Sequence, residues 1–257
     1  MKSARSLGTI RDICWAARLL LLSFACAMIV AAPAMCKTPN QQYSNIAPLP
    51  GGGVALDSMG KPDGQGAMQT NIPVAYTPGW GYASLGVFKG KHTGGRDTEN
   101  GSGIFALGFF QKHRVYMSGM QVSHISNEAK ALHGQVSLID ETLTTPALAV
   151  GVQDILRKES NGRSIYVVAT KGIKVGNKEA FATLGFGTER FLNGPFGGIS
   201  LPLSSSLNID AEWDGYQING GFGWKPGGRR SGLTILGAIN GQLGALVGAS
   251  LAYDFMP

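Results

Sequence analysis

Apolar and polar positions alternate with a period of two through most of the chain after residue 80. In the last stretch, Leu243, Ala245, Val247, Ala249, Leu251, Tyr253 and Phe255 fall on one side, while Gly244, Gly248, Ser250, Ala252 and Asp254 fall on the other; Leu246 is the one large exception. One face is apolar and ends in two aromatics, and the other is small or polar. A strand with lipid outside and a packed or watery lumen inside needs this pattern. The same alternation sets Ala83, Leu85 and Val87 against Ser84, Gly86 and Phe88, and Phe105, Leu107 and Phe109 against Ala106, Gly108 and Phe110. It continues through Tyr116–Val122, Leu132–Ile139 and Leu148–Val152, then through Arg163–Gly172, Ala180–Thr188 and Phe196–Leu203. Asn208–Gly215, Ile218–Trp224 and Leu233–Ile239 complete the series. Turn residues separate these runs, and none places apolar residues at i, i+3, i+4 and i+7 as a helix would. The expectation is about 12 strands, within a range of about 10–14, and an even number suits a bacterial single-chain barrel.

A soluble β-sandwich also alternates, because one face packs and the other meets water. Two features favour a closed transmembrane barrel. The polar face is mostly Gly, Ala, Ser and Thr rather than Lys and Glu, and charged residues are 15% of the chain against a usual ~25%. Closure also removes the unpaired sheet edges that hydrocarbon does not tolerate. Glycine supplies 38 of 257 residues, roughly twice the usual share of ~7%. Inside strands it marks tight bends or close backbone approach, which suits a strongly curved sheet. Trp80, Tyr82, Tyr116, Tyr166, Trp213, Trp224 and Tyr253 can supply aromatic girdles at the headgroup level.

The N-terminus reads as a secretory leader. Lys2, Arg5, Arg11 and Arg18 precede the uncharged apolar run Leu19–Ala32, and Ala32-Pro33-Ala34 forms a small-x-small cleavage site. The run is shorter than the ~20 residues a membrane-spanning helix needs. The chain therefore divides into a signal peptide over residues 1–34, a flexible periplasmic lead-in over 35–66 and an outer-membrane β-barrel over 67–257. Pro39, Pro48, Pro50 and Gly51-Gly52-Gly53 punctuate the lead-in, and a short strand around Val54–Leu56 is compatible with it. Cys14 and Cys26 lie in the leader, which leaves Cys36 without an intrachain partner. The net charge of +6 includes +3 from residues 1–34. The mild remainder, without a Lys/Arg cluster, argues against nucleic acid binding.

Candidate chemistry is sparse. Asp210, Glu212 and Asp214 share one strand face and so point into the lumen of a barrel. Three like charges in a row call for bases on neighbouring strands, and Lys171 and Arg190 are candidates. The ladder reads either as part of a salt-bridge network filling the barrel or as the lining of a cation-selecting pore. Barrels of about 8 strands are filled by side chains and those of 16–18 conduct, so twelve leaves both readings open. The four histidines, His92, His113, His124 and His133, show no metal-ligand spacing, and no cofactor is expected. His124-Ile125-Ser126-Asn127 resembles the His-x-Ser-Asn stretch of the outer-membrane lipid A deacylase family. That resemblance implies ester hydrolysis by His124 and Ser126, whereas the residues by themselves read as a strand-ending loop.

A second resemblance spans Thr145–Trp224. Pro146-Ala147-Leu148-Ala149-Val150-Gly151-Val152-Gln153-Asp154 is followed by Tyr166-Val167-Val168-Ala169-Thr170-Lys171, Leu184-Gly185-Phe186-Gly187 and Phe196-Gly197-Gly198-Ile199. Ala211-Glu212-Trp213-Asp214-Gly215 and Asn219-Gly220-Gly221 complete the order. This series resembles the YjbH-like outer-membrane β-barrel proteins. The resemblance implies a non-enzymatic barrel associated with exopolysaccharide production, a short version of its longer members, with polysaccharide or its export apparatus as partner. It carries no catalytic residue. The remaining expected partners are outer-membrane lipid and the barrel-assembly machinery, which would read the C-terminal strand through Gly248, Leu251, Tyr253 and Phe255.

Overall fold

A computed structural model describes residues 49–90, 102–122, 130–157, 163–240 and 244–255. The leader, Cys36, His124 and Ser126 lie outside the described residues. Twelve antiparallel strands close into one barrel in simple up-and-down order. They are β1 (Tyr82–Gly90), β2 (Ser102–Phe109), β3 (Val115–Val122), β4 (Lys130–Ile139), β5 (Ala147–Gln153) and β6 (Ser164–Val175). The second half follows with β7 (Lys178–Gly187), β8 (Gly194–Pro202), β9 (Leu207–Trp213), β10 (Ile218–Trp224), β11 (Leu233–Asn240) and β12 (Gly244–Asp254). The ring closes where β1 pairs with β12, in register from Tyr82 opposite Asp254 to Gly90 opposite Leu246. Closure leaves no open edge for the backbone to satisfy.

The period-two pattern sorts most side chains as expected, but Tyr82, Tyr116, Tyr166 and Trp213, expected among the girdle aromatics, are buried instead. Leu85, Val87, Phe105, Leu107, Ile165, Val167, Leu184, Phe186, Val247 and Leu251 point outward and are 41–63% exposed. Large apolar residues left outside at this density do not suit water, and an exposed apolar surface of this extent marks contact with lipid or protein. It is compatible with an outer-membrane location. Ser118, His133, Gln135, Thr170, Thr183, Ser200, Asn208 and Thr234 point inward and are buried. Leu246, the exception in the last strand, also points inward. It joins Phe88, Ile104, Leu236 and Ala238 in an apolar cluster, so its misfit with the polar face is a packing contact.

Two differences from the sequence reading matter for the site. The Arg163–Gly172 strand runs on to Val175 and pairs with β7 as far as Val175 opposite Lys178. More importantly, residues 49–80 form neither a flexible lead-in nor part of the wall. They fold inside it, and every residue from Gly66 to Pro78 is buried. The prolines and glycines of this stretch build tight turns rather than a free chain. Gly60 shows why: at φ +77°, with a Cβ position 2.2 Å from the Thr77 carbonyl oxygen, no side chain fits there.

If hydrocarbon solvates the exterior, Val167→Arg, in the middle of the paired stretch of β6, should cost about 2–4 kcal/mol. The temperature at which the folded band converts to the unfolded band on an unboiled gel should then fall. A water-facing position would leave that temperature nearly unchanged.

Candidate functional site

The interior is built around the segment 49–80. It opens with turns at Leu49–Gly52 and Asp57–Lys61, where the Asp57 carboxylate accepts the N–H groups of Met59 and Lys61 at 2.9 Å each. Leu56 and Ala67 exchange two backbone hydrogen bonds, of 2.9 and 2.7 Å, which fold the segment back on itself. The returning arm then crosses the lumen. A short strand had been compatible with Val54–Leu56; only isolated bridges form, from Gly52 to Gln69 and from Leu56 to Pro62 and Ala67.

Wall side chains grip the main chain of this arm from several directions. Ser200 on β8 accepts the Met68 N–H at 3.2 Å, and Thr170 on β6 accepts that of Ala75 at 2.8 Å. Asn208 on β9 donates to the Gly66 carbonyl at 2.7 Å, and Gln135 on β4 to that of Val74 at 3.0 Å. Arg114, between β2 and β3, donates to the Thr77 carbonyl at 2.9 Å. An extended segment without a neighbouring strand has open N–H and C=O groups, and burial makes each of them costly unless paired. The inward polar residues of the wall supply that pairing.

The acidic ladder is the centre of this grip. Asp210 and Glu212 both accept the Thr70 N–H, at 3.2 and 3.1 Å, and Asp210 also accepts the Thr70 hydroxyl at 3.1 Å. Glu212 takes the Ile72 N–H at 3.3 Å. Asp214 accepts Nδ2 of Asn71 at 3.0 Å and Nδ2 of Asn219 at 2.9 Å. The strands on either side of β9 present glycine here. A Cβ at Gly221 would stand 2.4 Å from the Thr70 hydroxyl, one at Gly223 2.5 Å from the Met68 sulfur, and one at Gly198 2.5 Å from the Gln69 side-chain oxygen. These inward glycines let the segment lie against the sheet.

Asp210 and Glu212 thus sit on the inward face of β9 and Asp214 just past its end, all three buried. Arg190 also reaches the site. It lies in a single 3-10 turn (Glu189–Phe191) between β7 and β8, donates to the Asn71 carbonyl at 3.0 Å and also bonds the Asn71 side-chain oxygen. Asn71 therefore bridges Arg190 and Asp214. Lys171 does not join this network. Thr170 points inward, so its neighbour on β6 must face the other way, and the Lys171 ammonium lies 3.0 Å from Glu141 in the β4–β5 connection. The ladder is satisfied by amide and hydroxyl donors, many of them on the segment itself. Thr70, Asn71 and Ile72 are the site residues that the alternation could not reveal. The available signal was the absence of any charged residue between Gly64 and Phe88, which is unusual for a loop in water.

At the rim where β1 begins and β12 ends, ion pairs tie the segment to the wall. Lys61 lies 3.4 Å from Asp254 at the end of β12, and Asp63 lies 2.6 Å from Arg229 between β10 and β11. The Tyr76 hydroxyl bonds Glu141, and burial together with that carboxylate pushes its ionisation well above the usual phenol range. Burial also lowers the Lys225 ammonium to about 8, while its Nζ donates to the Ser231 carbonyl at 2.7 Å. In the C-terminal strand, Leu251 and Tyr253 face outward, and Phe255 stacks on Tyr253 with ring centroids 6.0 Å apart. Gly248 lies opposite Phe88, and a Cβ there would stand 2.1 Å from the Phe88 ring. Beside the segment a cavity of about 20 Å³ remains, lined by Leu49, Tyr82, Ser84, Tyr116 and Ser250. That is room for about one water. Comparison with family models and with curated proteins returned no match.

Removing the Asn71 bridge should loosen the segment. Asn71→Ala takes a partner from both Arg190 and Asp214, and hydrogen bonds to charged groups are worth about 1.5–3 kcal/mol. Limited proteolysis near Met59–Gln65 should become faster and the gel conversion temperature should drop. Unchanged proteolysis and conversion would mean that Asn71 does not hold the segment in the lumen.

Proposed function

We propose that this chain is a non-enzymatic outer-membrane β-barrel protein that works in a closed state, as an accessory to exopolysaccharide secretion rather than as its conduit. One observation carries the closed state: residues 66–78 fill the lumen and are buried there. The exterior supports the membrane reading, because large apolar side chains line the outside of a sheet that has no open edge. The aromatic end of β12 supports delivery by barrel-assembly machinery after export by the leader. The polysaccharide role rests on the YjbH-like resemblance, and the filled lumen favours an accessory over a channel for a polymer. A small pore is the second reading, favoured by the buried carboxylates of Asp210 and Glu212 on β9 and of Asp214 just past its end. Ester hydrolysis by His124 and Ser126 draws no support, since both lie outside the described residues.

The protein should fractionate with outer membranes and migrate anomalously before boiling. Planar bilayers containing it should show no steady conductance. Deletion of its gene should lower extracellular polysaccharide while intracellular sugar nucleotides stay level. Steady conductance would reverse the choice between accessory and pore, and an unchanged polymer yield would remove the secretion role.

A further inference from the structure

The rim where β1 begins and β12 ends is rich in charge, and its acidic groups are all engaged. Lys61 pairs with Asp254, Arg114 with Asp140, Lys171 with Glu141 and Arg229 with Asp63. The remaining carboxylates among the described residues of this rim are held too. Asp57 accepts N–H groups of its own turn, and Glu179 is the register partner of Lys174. Lys112, Lys178 and Arg230 are exposed, and none has a carboxylate within ion-pair distance among the described residues. The Lys178 ammonium donates to the Leu203 carbonyl at 3.2 Å. The uncompensated charge of this rim is therefore basic.

These residues do not gather on one face. Lys112 lies in the β2–β3 turn, Lys178 opens β7 and Arg230 lies in the β10–β11 turn, so they are spread round the barrel. Each stands beside exposed apolar side chains at the edge of the outward face. Phe110 precedes Lys112, Val175 ends β6 just before Lys178, and Trp224 and Leu233 flank the turn that holds Arg230. An apolar band edged by cations matches both parts of a lipid, its chains against the band and its anionic headgroup against the cations. A soluble acidic polymer would call for basic residues clustered along one track, whereas lipid meets a cylinder all the way round. The connections give the side. Residues 176–177 join β6 to β7 and 203–206 join β8 to β9 at this end, while 154–163 join β5 to β6 at the other. Short turns face the periplasm in outer-membrane barrels.

We propose that this rim binds anionic phospholipid headgroups of the periplasmic leaflet, with their phosphates held by Lys112, Lys178 and Arg230. The inference rests on the reading of this chain as a membrane barrel and adds a headgroup preference to it. Ammonium and guanidinium groups donate charge-assisted hydrogen bonds to phosphate oxygens. At exposed positions that attraction is screened by salt.

Spin-labelled lipids test this in the full mature chain, reconstituted in phosphatidylcholine bilayers. The probes are spin-labelled phosphatidylglycerol and spin-labelled phosphatidylcholine, and the motionally restricted fraction of each is compared. The parent should restrict the phosphatidylglycerol label several-fold more, since each basic residue at an anionic surface is worth about fivefold. Added salt should shrink the difference. Lys112→Gln with Lys178→Gln and Arg230→Gln should bring the two labels level. Arg157→Gln with Arg163→Gln, at the opposite end, should leave the preference standing. A heat-modifiable band on an unboiled gel shows that each variant is folded. Equal restriction of both labels by the parent, or a preference that survives the triple change, would overturn the proposal. So would rim-dependent retention of soluble alginate without any preference between the lipids, which would mark a polymer surface instead. The two readings fail apart. Restricted label without headgroup preference leaves the barrel in lipid and removes the rim site alone, whereas no restricted label of either kind removes the lipid-facing exterior and the rim site with it.

Discussion

A closed sheet of twelve strands encloses a lumen wider than its own side chains can fill, since about eight strands is the width at which they suffice. The rest of the structure follows from that constraint. Closure is required because an apolar exterior of this kind suits hydrocarbon, where unpaired backbone groups are not tolerated. The resulting interior must then be watery or filled. Here the chain occupies it with its own residues 49–80, and a cavity lined by Leu49, Tyr82 and Ser250 beside them is about the size of one water.

Filling a barrel with an extended segment creates a second problem, because such a segment has main-chain groups without a ladder partner. The wall solves it with side chains. Ser200, Thr170, Gln135, Asn208 and the β9 carboxylates act as a discontinuous partner strand. This accounts for a luminal face that is polar although it is buried. It also accounts for the glycines: Gly198, Gly221 and Gly223 are the places where the segment lies on the sheet. The acidic ladder has the same origin. Three adjacent carboxylates are a liability inside a protein, and they are tolerated because N–H and O–H groups of Thr70, Asn71 and Ile72 converge on them.

The two faces of the sheet contrast. Among the described residues the outside of the sheet is rich in large apolar side chains, which is compatible with solvation by lipid. The inside is polar, specific and closed.

The wall of this protein was legible in its sequence because alternation is a local property. Successive side chains on a strand point to opposite faces, so Leu85, Val167 and Leu251 declare the outside and Asp210, Glu212 and Asp214 the inside without reference to any distant residue. Leu246 broke the local rule, and only its neighbours across the lumen explain it. Lys171 was offered as a partner for the ladder by charge alone; the facing of β6 sends it to Glu141 instead. The luminal segment could not be read in this way. It has no period, since its side chains answer to walls on all sides, and the carboxylate that Thr70 meets lies 140 residues further along the chain. Pairings of that kind exist only once the sheet has closed around them, so tertiary structure alone decided what occupies the lumen.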